Sequence, residues 1–524
     1  MKALKYILTK RVKQSFLLLF SGAALLSSCS EDILDKEPIT EIVLDTAFNT
    51  EQDVVYSLNG AYDALQWQNV RGNQTFPLMQ QGVRADDLHS QSAAFWQIGA
   101  QYDQFNTITP TLASVASVWS KWYQGVARAN FTIQLAEQFD KFETPGLQDQ
   151  IIAEAKFLRG FYYFELVRLF GGVPLFDKPI ISADQEQFKP RSSKEEVYGF
   201  IESDLQSAGT ILVTGRIGRF EGAATSGAAL ALLTKVYLYQ EKWDEAVAIA
   251  EEVINQGVYS LEENFSDNFI QTNEFGKESI FEINYVDGLS AVDFNDSSQS
   301  QEGSGSWKWS FPFLQGYNSF NNFIPRQELV DFFDDSDQRK AATFLLPGQS
   351  TNSSGLEALG WDPVPANFGY AIGVNTGARK YFLTFEEVQE LTTEFQSPLN
   401  EKVIRYADLL LMHAEASLMG GGGNGASSFQ QVIDRAYGSG NSAAPTYTLQ
   451  GVRDERRREL ATEGWNRFTD LVRWDIADGG GVIVPALNTI GKTDFSAPRD
   501  LLLPIPQQEI DTYPLGMLEQ NEGY

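Results

Sequence analysis

The sequence predicts a mainly α-helical fold, and three observations support this prediction. The stretch 153–175 spaces its apolar residues three and four positions apart, which lines them along one side of a helix. Similar helical patterns recur in pairs elsewhere in the chain, with short turns between them. With 43% apolar and 13% aromatic residues, the chain can bury a large core. We therefore expect a packed array of helices with 153–175 as an inner helix.

The first 28 residues have the composition of a signal peptide, with basic residues first and then the apolar run 16–26. A run of this length is too short for a bilayer, which needs about 20 residues. The following Leu26-Ser27-Ser28-Cys29 resembles the lipobox of bacterial lipoproteins, in which the cysteine is acylated and becomes the first residue of the mature chain. The alternative is an ordinary secretory signal before an unrelated free cysteine. Residues 29–50 are polar and are expected to form a lipid-anchored tether.

Composition excludes several function classes. The formal net charge is −29, so the surface should repel nucleic acid and suit a neutral or cationic ligand better than a polyanion. A single cysteine allows neither a disulfide framework nor a thiolate metal site. The chain has two histidines, His89 and His413, so a histidine metal site or a Ser-His-Asp triad would have to use one of them. We expect no cofactor and no metal.

The helical patterns follow one another in order along the chain. They cover 53–66, 112–139, 153–175, 194–208, 223–240, 243–256, 405–419, 427–437, 452–462 and 465–474. In 223–256 the closely spaced alanines, the turn and the partner helix resemble a tetratricopeptide (TPR) unit, although the match is partial. The glycine-rich stretch 420–425 lacks the following Gly-Lys-Ser/Thr of a phosphate-binding loop, and we interpret it as a turn between helices.

The helical pattern lapses between about 260 and 400. Glycine, serine, asparagine and aromatic residues dominate this part of the chain. Loops of this length in a compact protein are usually functional or disordered, and the aromatic content argues against disorder. We expect this irregular excursion to carry recognition.

Five stretches, in order, resemble the SusD/RagB family of outer-membrane nutrient-binding lipoproteins. They are 153–175, LVDFFDDSDQRK (329–340), RYADLLLMHAEASL (405–418), RRRELATEGWNRFTDLVRW (456–474) and LLLPIPQQEI (501–510) with Gln520-Asn521. The resemblance covers essentially the whole mature chain, and it implies one SusD-like domain over 51–524. In that domain four TPR-like hairpins, at about 112–170, 194–257, 401–438 and 450–475, support an irregular ligand-binding half.

The resemblance also implies a function. The protein would be a lipid-anchored, surface-exposed outer-membrane lipoprotein that captures a glycan without catalysis. It would deliver the glycan to a SusC-like TonB-dependent transporter, as a lid on that barrel. A RagB-like peptide-binding protein is the alternative. A glycoside hydrolase is a third hypothesis, but with 69 acidic residues some pair meets any expected carboxylate spacing. A scaffold role for the hairpins is a fourth.

Charged residues in the motifs are expected to be structural. Two sets, Arg159, Glu165 and Arg168, and Glu459, Glu463 and Arg467, lie three or four positions apart on helices, which favours ion pairs that join neighbouring hairpins. A second acidic group consists of Asp331, Asp334, Asp335 and Asp337. It lacks the glycine and glutamate of a calcium loop, so we expect a solvated helix end.

Sugars are recognised by aromatic rings that stack on their C–H faces and by polar groups that pair with their hydroxyls. Five tryptophans in helical patterns are expected in the core: Trp119, Trp122, Trp243, Trp465 and Trp474. In the family, ligand contacts come from the loop after the first helix and from the irregular half. For stacking we therefore predict Trp96, Trp307, Trp309, Tyr317 and Trp361, and for hydroxyls Arg84, Asp87, Gln97 and Asn318.

Overall fold

A computed structural model describes most of the chain. It covers residues 48–66, 79–90, 101–180, 188–286, 324–348, 376–381, 383 and 398–524, with the backbone alone at 79 and 80. Residues 54–524 form one compact unit. Of the N-terminal unit, residues 1–53, the structure describes the last six residues, where the Asp53 carboxylate accepts hydrogen bonds from the backbone N–H groups of Asn49 and Thr50 at 2.9 and 2.8 Å.

Helices dominate the described residues, as the sequence predicts. They are α1 (Glu51–Asp63), α2 (Ala113–Gln138), α3 (Leu147–Phe170), α4 (Lys194–Ile211), α5 (Ser226–Leu238), α6 (Trp243–Asn255), α7 (Gln327–Asp331), α8 (Arg339–Thr343), α9 (Tyr406–Ala416), α10 (Gly425–Tyr437), α11 (Leu449–Glu459), α12 (Arg467–Ala477), α13 (Ile483–Thr489) and α14 (Gln507–Thr512). Among them, no helix combines the length and apolarity that crossing a bilayer would need.

The described strands are short and pair antiparallel in twos. They are β1 (Leu88–His89) with β3 (Ile324–Pro325), β2 (Ser279–Ile283) with β6 (Glu401–Arg405), and β4 (Phe344–Leu345) with β5 (Gly377–Ala378). All but β2 and β6 have two residues, so these pairs fix the ends of irregular segments rather than forming a sheet layer.

Consecutive helices pack side by side from α2 to α6, and α9 contacts α6, α10 and α11. The mainly α fold is therefore confirmed, whereas the TPR-like character of the four hairpins stays a prediction. At the start of the array α2 approaches α3 closely, because a Cβ atom on Gly125 would lie 2.6 Å from the ring of Tyr162. Tyr162 also donates a hydrogen bond from its hydroxyl to the carbonyl of Ala61 at 2.6 Å, so its ring has little freedom to move.

Helix α3 is the inner helix, as predicted. It ends at Phe170, where Gly171 adopts φ +78°, a value that favours glycine. Its predicted charged positions are buried too, and they form structural ion pairs as expected. Arg159 binds Asp204 of α4 at 2.7 and 2.8 Å, and Arg168 binds Glu165 one turn earlier. Arg168 also donates to the carbonyl of Trp465 at 2.9 Å, which fixes α3 to a distant part of the chain.

A second buried network surrounds Arg405, whose side chain is 1% exposed. Its guanidinium donates to Glu459 at 2.7 Å, to Glu463 at 2.6 Å and to Glu278. Arg339 reaches the same Glu459 at 2.8 Å. Three of the sequence motifs described above, 329–340, 405–418 and 456–474, therefore meet at one cluster of charges, and the expectation that Glu459 and Glu463 serve structure is confirmed.

The expectation of a solvated acidic helix end at 331–337 is wrong for one residue. Asp331, Asp334 and Asp335 are exposed, but Asp337 is 3% exposed and binds Arg339 through both carboxylate oxygens, at 2.9 and 2.7 Å. The two residues are only two positions apart, but the sequence does not show that Arg339 is buried, and it is this burial that takes Asp337 out of solvent.

The contact between Gly125 and Tyr162 yields a stability prediction. Gly125→Ala should lower the free energy of unfolding by about 1–3 kcal/mol, the usual cost of overpacking a core. The measurement is the urea midpoint. Gly199→Ala in α4 is the matched control, since that glycine is exposed with no heavy atom within 4 Å of its added Cβ. The control should gain about 0.5–1 kcal/mol from helix propensity. Equal effects of the two changes would contradict the tight α2–α3 contact.

Candidate ligand site where three segments converge

Most of the predicted ligand residues lie outside the described residues. These residues are Trp96, Gln97, Trp307, Trp309, Tyr317, Asn318 and Trp361. The predicted lipidation site Cys29 also lies outside the described residues. The structure does describe the residues at which the segments 91–100, 287–323 and 349–375 begin or end. These flanking residues show where the three segments attach to the rest of the fold.

Strands β1 and β3 join two of these segments. Leu88 pairs with Pro325 and His89 pairs with Ile324. Ser90 directly precedes 91–100, which contains Trp96, and Ile324 directly follows 287–323. Because the pairing is antiparallel, the exit from β1 and the entry to β3 lie at the same end of the ribbon.

The third segment returns to the same ribbon. Thr376, the first described residue after 349–375, donates a hydrogen bond from its hydroxyl to the carbonyl of Pro325 at 2.6 Å. Strand β5 then follows and pairs with β4. We call residues 88–90, 324–326 and 376 the anchor ribbon. The structure thus brings together one end of each of the three segments that carry the predicted stacking residues.

Polar groups surround the anchor ribbon. Arg326 donates to the carbonyl of Leu88 at 3.2 Å and to the carboxylate of Asp103 at 3.0 Å. Lys492 binds the same carboxylate at 2.8 Å, and burial lowers the pKa of Lys492 to about 8. The side chain of His89 is half-buried here, and burial together with the nearby charge of Arg326 lowers its pKa. A neutral imidazole can both donate and accept a hydrogen bond, which suits a hydroxyl-bearing ligand.

Sequence reasoning did not select His89 as a ligand residue. The available signal was its rarity, since it is one of two histidines in the chain and lies seven residues before Trp96. Nothing local predicts that β1 pairs with a strand more than 230 residues later, so the pattern alone could not place His89 beside Arg326.

The turn before the ribbon is held by a double ion pair. Arg467 binds Asp86 through two hydrogen bonds at 2.7 and 2.8 Å, and Arg457 binds Asp87 at 2.7 Å and Asp86 at 3.0 Å. We call these four residues the arginine clamp. The prediction that Asp87 pairs with sugar hydroxyls is therefore wrong for the structure described, because its side chain is buried and already bound by Arg457.

The same correction applies to Arg84. Its side chain is 1% exposed and its guanidinium lies 3.9 Å from the centre of the Phe468 ring. It donates to the carbonyl of Asp500 at 2.9 Å. The sequence placed Arg84 and Asp87 in the loop after the first helix. It did not indicate that this loop turns both charges inward, toward helices α11 and α12 and the C-terminal segment.

The predicted division of the tryptophans is confirmed for the helical group. Trp119, Trp122, Trp465 and Trp474 are at most 3% exposed. Trp243 is partly buried against the same core. These rings pack within the helical scaffold, so stacking on a glycan stays a prediction for the tryptophans of the segments 91–100, 287–323 and 349–375. Within the described ranges, no group of three or more His, Cys, Asp or Glu side chains is arranged to hold a metal ion.

Two family models together match most of the chain. Residues 32–238 match one described as "Starch-binding associating with outer membrane", and residues 277–524 match one described as "SusD family". Among characterised relatives, the SusD-like protein P25 of Formosa agariphila is 24% identical over 95% of this chain and 97% of its own length.

Solved structures share the fold. A laminarin-binding SusD-like protein is 28% identical with a TM-score of 0.74, and the match covers 91% of this chain and all of that protein. Surface glycan-binding protein A from Bacteroides fluxus is 26% identical with a TM-score of 0.76, again over 91% of this chain and all of the other.

The arginine clamp gives a prediction for stability and its pH dependence. Burial alone would raise the pKa of Asp86, but Arg467 and Arg457 outweigh that effect and hold the pKa below its usual range. Asp86→Asn should therefore cost about 3–5 kcal/mol at pH 7, the usual penalty for removing one partner of a buried ion pair. The pKa of Asp86 is lower in the folded than in the unfolded chain, where it is near 3.8. The extra free energy of unfolding of the wild type is therefore fully present above pH 3.8 and is lost as the pH falls further.

The measurement is denaturant unfolding of both proteins from pH 7 to pH 2.5. Asp63→Asn is the matched control, because the Asp63–Arg128 pair is 30% exposed on each side. An exposed pair is worth about 0–1 kcal/mol, so the control should change little. A cost for Asp86→Asn no larger than that of the control would argue against the clamp.

Proposed function

Because this chain belongs to the SusD/RagB family, we propose that it captures a glycan at the outer membrane without cleaving it. The captured oligosaccharide or polysaccharide passes to a SusC-like TonB-dependent transporter, which the protein covers as a lid. Cys29 carries the lipid anchor that holds the protein at the cell surface. Acyl chains contribute about 0.8 kcal/mol for each buried CH₂ group, so two or more chains anchor stably.

The convergence at the anchor ribbon is the observation that carries this proposal. Three segments with the predicted stacking residues attach to one ribbon through Ser90, Ile324 and Thr376. A sugar-binding site needs rings that are held in place, because a rigid aromatic side chain loses little entropy when it stacks. Attaching all three segments to one ribbon would limit their movement and bring such rings close to one another.

The surroundings of the ribbon fit a neutral ligand. The cations Arg326 and Lys492 both bind Asp103 and backbone carbonyls, so neither is free for a charged group of a ligand. His89 is half-buried and can exchange hydrogen bonds in both directions. The names of the related structures, a laminarin-binding protein and a surface glycan-binding protein, support the same ligand class. A peptide site would need charged groups free for the ligand's termini, so peptide capture is the alternative outcome of the tests below.

The tryptophans provide the direct test. Trp96→Ala and Trp307→Ala should each weaken binding of the recognised glycan at least tenfold, because each removes a stacking ring worth roughly 1–2 kcal/mol plus its buried area. Calorimetry of the mature protein against a panel of polysaccharides and peptides measures this effect. Trp243→Ala, on the scaffold helix α6, is the matched control and should keep wild-type affinity.

Retention of glycan affinity in both Trp96→Ala and Trp307→Ala would contradict the proposed site. Binding of peptides but of no glycan in the panel would favour a RagB-like function. Release of shorter sugars by the pure protein, followed by chromatography, would decide against capture without catalysis.

The lipid anchor has its own test. Cys29→Ala should prevent acylation, so the protein should appear in the soluble fraction instead of the membrane fraction and should no longer incorporate radiolabelled palmitate. The wild-type chain grown in parallel is the reference. Palmitate labelling that persists in Cys29→Ala would exclude Cys29 as the lipidation site.

A further inference from the structure

A cleft of about 440 Å³ lies beside helix α2 and shares no lining residue with the anchor ribbon. Five aromatic side chains form part of its wall. The rings come from Trp119, Tyr123, Phe176, Phe188 and Tyr513. They meet in pairs, with Tyr123 and Phe176 centred 6.0 Å apart and Phe188 and Tyr513 centred 5.0 Å apart.

Glu509 of helix α14 also lines this cleft, and its side chain is half-buried. Among the residues that the structure describes, no cation or hydrogen-bond donor binds its carboxylate. Burial raises the pKa of Glu509. Glu415, by contrast, is a buried acid whose carboxylate is bound by a cation, since Arg473 donates to it at 2.7 and 2.8 Å.

Two other polar residues of the cleft, Asn130 and Tyr123, already bind other groups of the protein. Asn130 donates to the carbonyl of Phe176 at 2.8 Å and accepts from Arg159 at 2.7 Å. Tyr123 donates to the carbonyl of Pro174 at 2.8 Å. Lys178 lies at the rim, but no ion pair joins it to Glu509. Among the described residues, the cleft therefore combines aromatic faces with a half-buried carboxylate to which no cation is bound, while Lys178 lies exposed at its rim.

We propose that this cleft binds an organic cation, an ammonium or guanidinium group carried on an apolar stem. The faces of aromatic rings attract cations, and the attraction increases when water is excluded. A half-buried carboxylate that lacks a partner is costly, and a ligand cation would relieve this cost. The formal net charge of −29 also raises the local concentration of cations. This inference goes beyond glycan capture and does not depend on it.

Two probes test the proposal and identify the source of the cation. Calorimetry of the mature protein with n-butylammonium chloride represents a free amine, and acetyl-Ala-Arg-Ala-amide represents a side chain of a polypeptide. We expect at least one to bind, and the tighter of the two identifies the source. The neutral acetyl-Ala-Gln-Ala-amide should bind at least tenfold more weakly than the arginine peptide. No binding by either cation, or equal binding by the neutral peptide, would overturn the proposal.

Glu509→Gln should weaken cation binding about tenfold. Asp511→Asn is the matched control, because it removes the same charge from the same helix. Asp511 is exposed and does not line the cleft. The effect of Asp511→Asn should stay below twofold. Equal losses in the two variants would mean that only the overall charge of the protein attracts the probe, which would overturn the site.

A third variant tests the cavity while keeping the carboxylate. Ala127 is exposed on α2 and lines the cleft, so Ala127→Phe should fill part of it and abolish cation binding with little effect on the melting temperature. Binding of any glycan that the polysaccharide panel identifies should be the same in Glu509→Gln and in the wild type. Unchanged cation binding in Ala127→Phe, or loss of that glycan binding in Glu509→Gln, would assign the charge to another site and overturn the inference.

Discussion

The buried guanidinium of Arg405 constrains much of this molecule, because a charge taken out of water must be matched by carboxylates at hydrogen-bond distance. Glu459 and Glu463 of one segment and Glu278 of another provide that match. Glu459 is in turn shared with Arg339 and Arg435. Removing any one of these groups would leave a buried charge only partly compensated, so the network constrains how the helical array meets the irregular half.

The arginine clamp extends the same principle to the candidate site. Helices α11 and α12 contribute Arg457 and Arg467, and these hold Asp86 and Asp87 just before strand β1. The ribbon that carries the three aromatic segments is therefore positioned by one of the motifs on which the family resemblance depends. In the proposed site, this motif would position the ligand without contacting it, because it orients the backbone from which the three segments depart.

Tryptophans and charged residues differ in how well the sequence predicted them. Trp119 and Trp122 lie in regular helical patterns, where spacing alone shows which side is buried, and both are core residues. Arg84 and Asp87 lie in an irregular turn, where no period indicates direction, and both point inward instead of toward ligand. Asp337 shows the same effect, since its exposed neighbours Asp334 and Asp335 gave no sign that it would bind a buried arginine.

The sequence by itself determined the helical architecture, the inner position of helix α3, and the family, because these depend on local periodicity and on short motifs. The tertiary structure alone decided that β1 pairs with β3, that Thr376 closes the anchor ribbon, and that Glu509 lines an aromatic cleft in which no described cation binds it. Such features depend on contacts between residues hundreds of positions apart, and the free energy that selects them comes from burial and charge pairing in the folded chain.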